Sequence, residues 1–257
     1  MTKVGVYAVL RVSSLIFGDG AGQLAGVLHA WLWPVALLTL LLGGLGALTA
    51  VRLAETAAWL VVMSVGTLLA GVALAEPATT AAVIYYLPHS TLAAAGLFLL
   101  ADLIGRARGA KEDRLTDGAA QPRPALVGGL YLLAAMAFIG LPPLSGFIGK
   151  IALMRGTPPA GPGGLYWFLL LFGGLLALIA LSRAGTTLFW RPRGEPMTDA
   201  QDRVRLAAAA APVALLLAWS LYAEWGLALG RQVSAQLHDP RAYIEAVLGT
   251  RDAGGGP

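Results

Sequence analysis

The chain has 257 residues, of which 57% are hydrophobic and 12% are charged, and its formal net charge is +4. Soluble globular domains carry about a quarter charged residues, so this chain has too few polar side chains to cover a water-facing surface. Its apolar runs, near twenty residues each, have the length that a helix needs to cross a bilayer. The composition excludes soluble enzymes and nucleic-acid-binding proteins, and it predicts an all-α polytopic membrane protein.

About seven transmembrane segments are predicted, and together they form a single membrane domain over residues 1–257. The first, residues 2–17, is short and is interpreted as a partial helix. Six longer segments follow, at residues 26–50, 56–75, 78–104, 124–154, 165–190 and 207–229. The polar stretch 105–123 is interpreted as a solvated loop. An amphipathic tail, residues 231–257, ends the chain, and its part 231–248 is expected to lie in the membrane interface, to brace a neighbouring subunit or to pack on its own protein.

Basic residues are concentrated on one side of the predicted membrane. With alternating topology, that side holds Arg52, Arg106, Arg108, Lys111, Arg114, Arg123, Arg191, Arg193, Arg203 and Arg205. The short loops of the other side hold only Arg155. Since cytoplasmic loops are enriched in Lys and Arg, the first side is predicted to be cytoplasmic. The expected location is the cell inner (cytoplasmic) membrane.

The segment 124–154 contains the strongest functional signal. It is longer than the twenty or so residues of an unbroken span. Pro142, Pro143, Ser145 and Gly146 are predicted to break it, because the two prolines remove amide donors and disfavour helix before them. Lipid tolerates such backbone only where protein or water satisfies its polar groups, and transporters use broken helices as ion sites.

Three ionisable residues in apolar segments are candidates for ion translocation. Lys150 follows the predicted break and could exchange a proton there; alternatively, its stem snorkels to the interface near Arg155. His89 lies near the middle of its segment and can relay protons near neutral pH, or it makes a single hydrogen bond between helices. Lys3 opens the first segment, and from the residues alone the simplest interpretation is an exposed terminal lysine.

Other chemistry has little support in the sequence. The absence of cysteine excludes disulfides, iron–sulfur ligation by thiolates and a Cys-x-x-Cys redox site. The three histidines, His29, His89 and His238, are far apart, so a metal site would require the fold to bring them together. We therefore predict no cofactor, no metal site and no catalytic residue.

Five stretches of the chain resemble one protein family. They are MAFIGLPPLSGFIGKIALM, TKVGVYAVLRV, LPHSTLAAAGLFLLADLIGR, LSRAGTTLFWR and LHDPRAYIEAVLG. The chain resembles, over essentially its whole length, the D-type subunit of the multisubunit Mrp-type Na⁺/H⁺ antiporters, which are related to the antiporter-like membrane subunits of respiratory complex I. GLPPLSGFIGK points to the wider superfamily, whereas LSRAGTTLFWR and DPRAYIEAVLG favour the D-type subunit.

The resemblance implies a fourteen-helix fold built on two inverted five-helix repeats, each with a broken helix. This chain would begin inside the eighth helix and hold the second repeat over residues 26–190, with 124–154 as the broken twelfth helix. By position, Lys150 matches the key ionisable residue of that helix, Lys3 the eighth-helix lysine of the central polar axis, and His89 the eleventh-helix histidine. The family's first repeat supplies a further carboxylate and lysine, and this chain has neither.

These implications predict an ion-translocating subunit of a multisubunit monovalent cation (Na⁺)/proton antiporter, a transporter subunit rather than an enzyme. Lys150 would be the exchangeable site, with His89 and Lys3 as proton relays. The expected partners are other antiporter subunits, Na⁺ and H⁺, the lipid bilayer and a separate chain that supplies the missing half. Two alternatives stay open: a proton-pumping membrane subunit of a complex I-like NADH:quinone oxidoreductase or membrane hydrogenase, and a structural half-subunit that has no transport activity.

Overall fold

The computed structural model describes residues 2–24, 26–109, 112–119, 121–190 and 203–239. Apart from loops and one antiparallel β-bridge between Arg52 and Arg114, these residues are helical. The α-helices are α1 (Thr2–Leu15), α2 (Val27–Thr49), α3 (Leu53–Ala73), α4 (Pro77–Arg108), α5 (Pro124–Ile139), α6 (Ser145–Gly156), α7 (Pro162–Gly185), α8 (Arg203–Leu221) and α9 (Ala223–His238). A 3₁₀ turn, Asp19–Leu24, precedes α2, and a π-helical turn, Thr186–Trp190, continues α7. The predicted all-α fold is confirmed.

Five of the described helical segments are long and apolar enough to cross a membrane. They are Gly22–Thr49, Leu53–Ala73, Pro77–Arg108, Pro162–Trp190 and Arg203–Leu221. The chain is therefore a multi-pass membrane protein, as predicted. The predicted number of about seven segments stays a prediction, since α1, α5, α6 and α9 are each too short to count as a span by themselves.

Prolines set where three of the helices begin. Pro77, Pro124 and Pro162 occupy the first turn of α4, α5 and α7. Their missing N–H groups cost nothing there, because the first amides of a helix have no intrahelical acceptor. Local chemistry thus sets where α4, which carries His89, begins, and where α5, which precedes the predicted break, begins.

Small residues hold α2, α3 and α7 together. A Cβ on Gly43 of α2 would collide with the backbone of Met63, and a Cβ on Gly66 of α3 would collide with the backbone of Leu40. Gly173 of α7 faces the side chains of Leu40 and Met63. Such close approach stabilises helix pairs in lipid, where the hydrophobic effect does not drive helices together and van der Waals packing does.

The last two helices form one bent unit instead of the predicted span 207–229 and tail. α8 ends at Leu221, and α9 begins at Ala223 after a bend at Tyr222. Helical bonding resumes at once, because the amide of Gly226 donates to the carbonyl of Tyr222 at 3.1 Å. The predicted boundary at residue 229 therefore lies inside α9. Of the predicted tail, residues 240–257 lie outside the described residues.

α9 packs against α4 through small residues at every fourth position, Gly226, Gly230 and Ser234. Gly230 lies so close to the carbonyl of Ala81 that a Cβ would not fit. Ser234 Oγ donates a 2.7 Å hydrogen bond to the carbonyl of Pro77. This small-residue spacing is the kind that brings helix backbones together in membranes. The described part of the amphipathic segment thus packs on its own chain.

The interpretation of residues 105–123 as a solvated loop holds only in part, since most of the described side chains there are exposed or half-buried and a few are buried. α4 continues to Arg108, which is only 2% exposed. Its guanidinium donates hydrogen bonds to the backbone carbonyls of Glu112, Arg114 and Thr116. The loop therefore folds around a buried cation, whereas a run of charged residues ordinarily indicates exposure to solvent.

A second buried charge ties this loop to α3. Asp113 is 3% exposed, and its carboxylate accepts hydrogen bonds from Arg52 Nε and from the amide of Ala54, both at 2.8 Å. The second bond caps the first turn of α3. The hydrogen bond and the charge of Asp113 raise the pKa of Arg52, which also pairs with Glu112. We refer to Arg52, Arg108 and Asp113 as the loop latch.

Candidate ion-translocation site

The predicted broken segment forms two helices, α5 and α6, separated by residues 140–144. Pro142 and Pro143 lie in this gap and are joined by a cis peptide bond. Neither has an N–H group, so the carbonyls of Phe138 and Ile139 lose the donors that a continuous helix would supply. The break thus leaves uncapped backbone oxygens at the end of α5.

Ser145 and Gly146, predicted to belong to the break, are the first residues of α6. The amide of Ser145 donates a 2.7 Å hydrogen bond to Ser220 Oγ of α8. Ser220 Oγ in turn donates to the carbonyl of Leu216 at 2.8 Å. A neighbouring helix therefore supplies the cap for α6 that the residues around the break do not provide.

Lys150 lies in α6 and turns back toward the break. Its Nζ donates a 2.6 Å hydrogen bond to the carbonyl of Ile139, and the residue is 7% exposed. The stem passes Gly140, whose φ of +86° is left-handed and where a Cβ would lie 2.9 Å from Lys150 Cδ. On α7, a Cβ at Gly174 would lie 3.1 Å from Nζ. The side chain therefore does not snorkel toward Arg155.

His89 is completely buried on α4 and faces α6. Its Nδ1 is 2.9 Å from Ser145 Oγ, and its ring centroid is 5.1 Å from that of Tyr86. Its Nε2 has no hydrogen-bond partner among the described residues. A Cβ on Gly146 would lie 3.0 Å from this nitrogen, so α6 approaches His89 with bare backbone. His89 thus makes the expected bond between helices, and its other nitrogen is buried without a partner among the described residues.

Lys3 is 9% exposed, so the interpretation as an exposed terminal lysine is wrong. Its Nζ donates a hydrogen bond to Ser64 Oγ on α3. Ser64 Oγ donates its own hydrogen to the carbonyl of Val61 at 2.8 Å, which leaves a lone pair directed at the lysine. Packing of α1 on α3 therefore buries this amine next to a single neutral oxygen.

The three candidate residues face a common interior. His89 lies 3.0 Å from a Cβ position on Gly146, and Lys150 lies 2.9 Å from one on Gly140, so both side chains contact the region of the break. Tyr86 lies beside His89, and Tyr166 of α7 donates its hydroxyl hydrogen to the carbonyl of Thr67 at 3.0 Å. α3, α4 and α7 thus each contribute buried polar groups to the interior of the domain.

Sequence reasoning missed the residues that hold the candidates in place. Ser64 and Ser220 are single polar residues in apolar helices and gave no signal of their own. Ser64 and Thr67 are three positions apart, hence on one face of α3, and this spacing was a readable signal for a polar helix contact. Within the described ranges, no three His, Asp or Glu side chains come together in a possible metal site.

Comparison with known proteins identifies one family. Residues 1–179 match the family described as NADH:quinone oxidoreductase/Mrp antiporter, transmembrane. The chain is 33% identical to the D-type subunit of the Na⁺/H⁺ antiporter of Bacillus subtilis, covering 96% of this chain and 50% of the relative. It is 37% identical to the D-type subunit of the probable K⁺/H⁺ antiporter of Rhizobium meliloti, covering 74% and 40%. The chain thus spans about half the length of these relatives.

Solved structures give the same grouping. A chain of the Mrp complex from a Dietzia species superposes with a TM-score of 0.80 at 26% identity, covering 96% of this chain and 53% of that chain. A chain of respiratory complex I from Thermus thermophilus superposes with a TM-score of 0.70 at 25% identity, covering 91% and 49%. The expected resemblance to the D-type subunits of Mrp antiporters is therefore confirmed.

Proposed function

Because the chain belongs to the transmembrane family of NADH:quinone oxidoreductase and Mrp antiporter subunits, we propose that it is an ion-translocating subunit of a multisubunit monovalent cation/proton antiporter. It is then a transporter subunit rather than an enzyme. The names of its relatives, D-type antiporter subunits for Na⁺ and for K⁺, support this function. Since the chain spans about half of each relative, the proposal concerns the part of the ion path that these residues form.

The observation that carries the proposal is the position of Lys150. Its amine is buried at the end of a half-helix, where it donates to the Ile139 carbonyl. Ionisable groups at membrane depth are costly and are retained mainly where they serve an ion path. A lysine that is held by one neutral oxygen can lose and regain its proton without breaking an ion pair. Lys150 is therefore the proposed exchangeable site.

His89 and Lys3 are the proposed proton relays. Ser145 holds Nδ1 of His89, and the second nitrogen, Nε2, has no partner among the described residues, so it is the proposed proton acceptor. Positive charges repel each other strongly in an interior of low dielectric constant. A proton that arrives at one of the three groups therefore favours proton release from another, and this coupling links their protonation, whereas the ion gradients set the direction of transfer.

We further propose that the chain acts in the inner (cytoplasmic) membrane with other antiporter subunits. The concentration of Lys and Arg in the loops of one side supports the orientation. The Dietzia and Thermus chains come from multisubunit complexes, which supports subunit partners. The half of the relatives that this chain does not match would come from a further segment or from a separate chain.

Substitution of Lys150 by alanine in the complete complex tests the proposal. Cation/proton exchange is measured in everted membrane vesicles with a pH-sensitive dye after addition of Na⁺ or K⁺. Loss of the exchangeable proton is expected to slow exchange by about a hundredfold or more. Arg155→Ala is the matched control, because it removes a positive charge from the exposed end of the same helix. Unchanged exchange in Lys150→Ala would falsify the proposal and favour a structural role for the chain.

A second candidate function is proton pumping coupled to electron transfer, which the similarity to the Thermus complex I chain favours. The same three residues would then move protons without a counter-ion. The two functions differ in what drives them. Exchange that requires Na⁺ or K⁺ and no electron donor supports the antiporter, whereas proton movement that requires an electron donor and ignores the cation supports the pump.

A further inference from the structure

The end of α5 presents backbone oxygens without helical donors inside the membrane domain. In a continuous helix, the amides at positions 142 and 143 would reach the carbonyls of Phe138 and Ile139, but both positions are proline. The last carbonyls of a helix also carry the partial negative charge of its dipole. This end of α5 is therefore a partly negative, oxygen-bearing surface.

A positive group already lies on this surface. Lys150 Nζ is 2.6 Å from the Ile139 oxygen. A Cβ at Gly174 would lie 3.1 Å from Nζ and 3.6 Å from the same oxygen. α7 therefore approaches the end of α5 with bare backbone, and the amine occupies the space that the missing Cβ leaves.

We propose that the carbonyl oxygens of Phe138 and Ile139 form a binding site for a dehydrated monovalent cation, for which the ammonium group of Lys150 is the competing occupant. The inference rests on the proposed function and assigns a place to the exchanged cation. Water completes the coordination shell. Half-helix ends with free carbonyls are known to coordinate Na⁺ in other transporter folds.

The chemistry of the site selects the ligand class. Neutral carbonyl dipoles suit Na⁺ or K⁺, whereas Ca²⁺ and Mg²⁺ are bound through carboxylates. The acidic residues of the described ranges lie in loops or within about two turns of a helix end: Asp19, Glu55, Glu76, Asp102, Glu112, Asp113, Asp117, Glu224 and Asp239.

The two occupants exclude each other. Both need the Ile139 oxygen, and two unit charges about 4 Å apart repel strongly in a medium of low dielectric constant. A cation can therefore bind only after the ammonium group has left the oxygen. One site with two exclusive positive occupants exchanges one charge for another, which is the requirement of an antiporter.

Equilibrium binding of radioactive Na⁺ to the purified complete complex, at one fixed pH, tests the site. Lys150→Met removes the competing charge, and its flexible, unbranched side chain can turn away from the Ile139 oxygen, so Na⁺ is expected to bind at least about tenfold more tightly. Lys150→Arg keeps the charge and is expected to bind Na⁺ no more tightly than the unmodified complex. Arg155→Met, the matched charge removal on α6, is expected to leave the affinity unchanged.

A pair of glycine variants tests the site while Lys150 keeps its charge, although a Cβ at Gly174 would also lie 3.1 Å from Lys150 Nζ. Gly174→Ala places a methyl group against the Ile139 oxygen and is expected to weaken Na⁺ binding several-fold. Gly129→Ala on α5 is the control, since a Cβ there has nothing within 4 Å. Equal Na⁺ affinity in the two variants overturns the site, including in the case that Lys150→Met does not fold.

The binding and exchange results separate the two proposals. Tighter Na⁺ binding in Lys150→Met, together with lost exchange, supports both. Unchanged or weaker Na⁺ binding in Lys150→Met, with exchange lost, overturns the cation site and leaves the proposed function intact. Normal exchange in Lys150→Met overturns the proposed function.

Discussion

Two regions of the molecule bury positive charge in different ways. In the loop latch, Asp113 pairs with Arg52, and the guanidinium of Arg108 donates to three backbone carbonyls. In the membrane domain, Lys3 and Lys150 each donate to one neutral oxygen, of Ser64 and of Ile139. Each buried charge of the latch thus has more than one partner, although Arg108 Nε has none among the described residues. Within the same residues, each lysine amine has a single contact.

The difference indicates what each region does. A buried charge with a full set of partners is costly to remove, because the partners are left unsatisfied. A buried charge with a single neutral partner contributes little to stability and can leave its position. We therefore expect substitutions in the latch to lower stability and substitutions of the lysines to lower exchange. Four predictions test this contrast, in order of decreasing effect on stability.

The largest stability loss is expected for Arg108→Met. This change leaves the carbonyls of Glu112, Arg114 and Thr116 without their donor, and the expected cost is about 3 kcal/mol. Thermal unfolding of the purified protein in detergent measures it. Arg106→Met, on the same helix, removes a charge that is 60% exposed, and its cost is expected to stay below about 0.5 kcal/mol. Equal melting temperatures for the two variants would show that the buried contacts of Arg108 do not stabilise the protein.

A smaller loss is expected for Asp113→Asn. The amide keeps the shape of the carboxylate, but it weakens the bonds to Arg52 and to the amide of Ala54, at a cost of about 1–2 kcal/mol. Glu112→Gln is the matched control, because Glu112 contacts the same arginine from a side chain that is 53% exposed. The melting temperature should fall for Asp113→Asn only. A fall of the same size in Glu112→Gln would show that the overall charge of the loop matters and that the buried contacts do not.

Ser220→Ala is expected to lower both stability and exchange, so it lies between the substitutions in the latch and those of the lysines. It leaves the amide of Ser145 without its acceptor, at a cost of about 1 kcal/mol. Exchange is also expected to slow a few-fold, because Ser145 holds His89. Ser220→Thr keeps the hydroxyl group and should restore both quantities. If Ser220→Thr and Ser220→Ala behave alike in melting and exchange, the hydrogen bond to Ser145 has no role in positioning His89.

The features that were predictable from the sequence depend on local chemistry. Pro142 and Pro143 remove two donors whatever surrounds them, so the end of α5 follows from the chain itself. The contact between α9 and α4 was readable as well, because Gly226, Gly230 and Ser234 recur at every fourth position. The prediction of a tail there overlooked this pattern.

The features that were not predictable depend on residues far apart in the chain. Arg52 and Asp113 are 61 positions apart, so the charged loop gave no sign that Asp113 is buried. The direction of Lys150 depends on where α5 ends in space and on the left-handed backbone at Gly140. The burial of Lys3 depends on the packing of α1 on α3, which no property of the first residues specifies.

The smallest effect on stability, and the strictest test of the contrast, is expected for Lys3→Met. Methionine fills a similar volume and does not need the Ser64 oxygen, so the free energy of unfolding should change by less than about 0.5 kcal/mol or rise slightly. Exchange should nevertheless fall by about tenfold or more, since one proton relay is lost. Lys3→Arg, which keeps the charge but cannot release a proton, should also lose exchange. If Lys3→Met instead destabilises the protein as much as Arg108→Met while exchange persists, then Lys3 has the structural role of the latch and the contrast between the two regions does not hold.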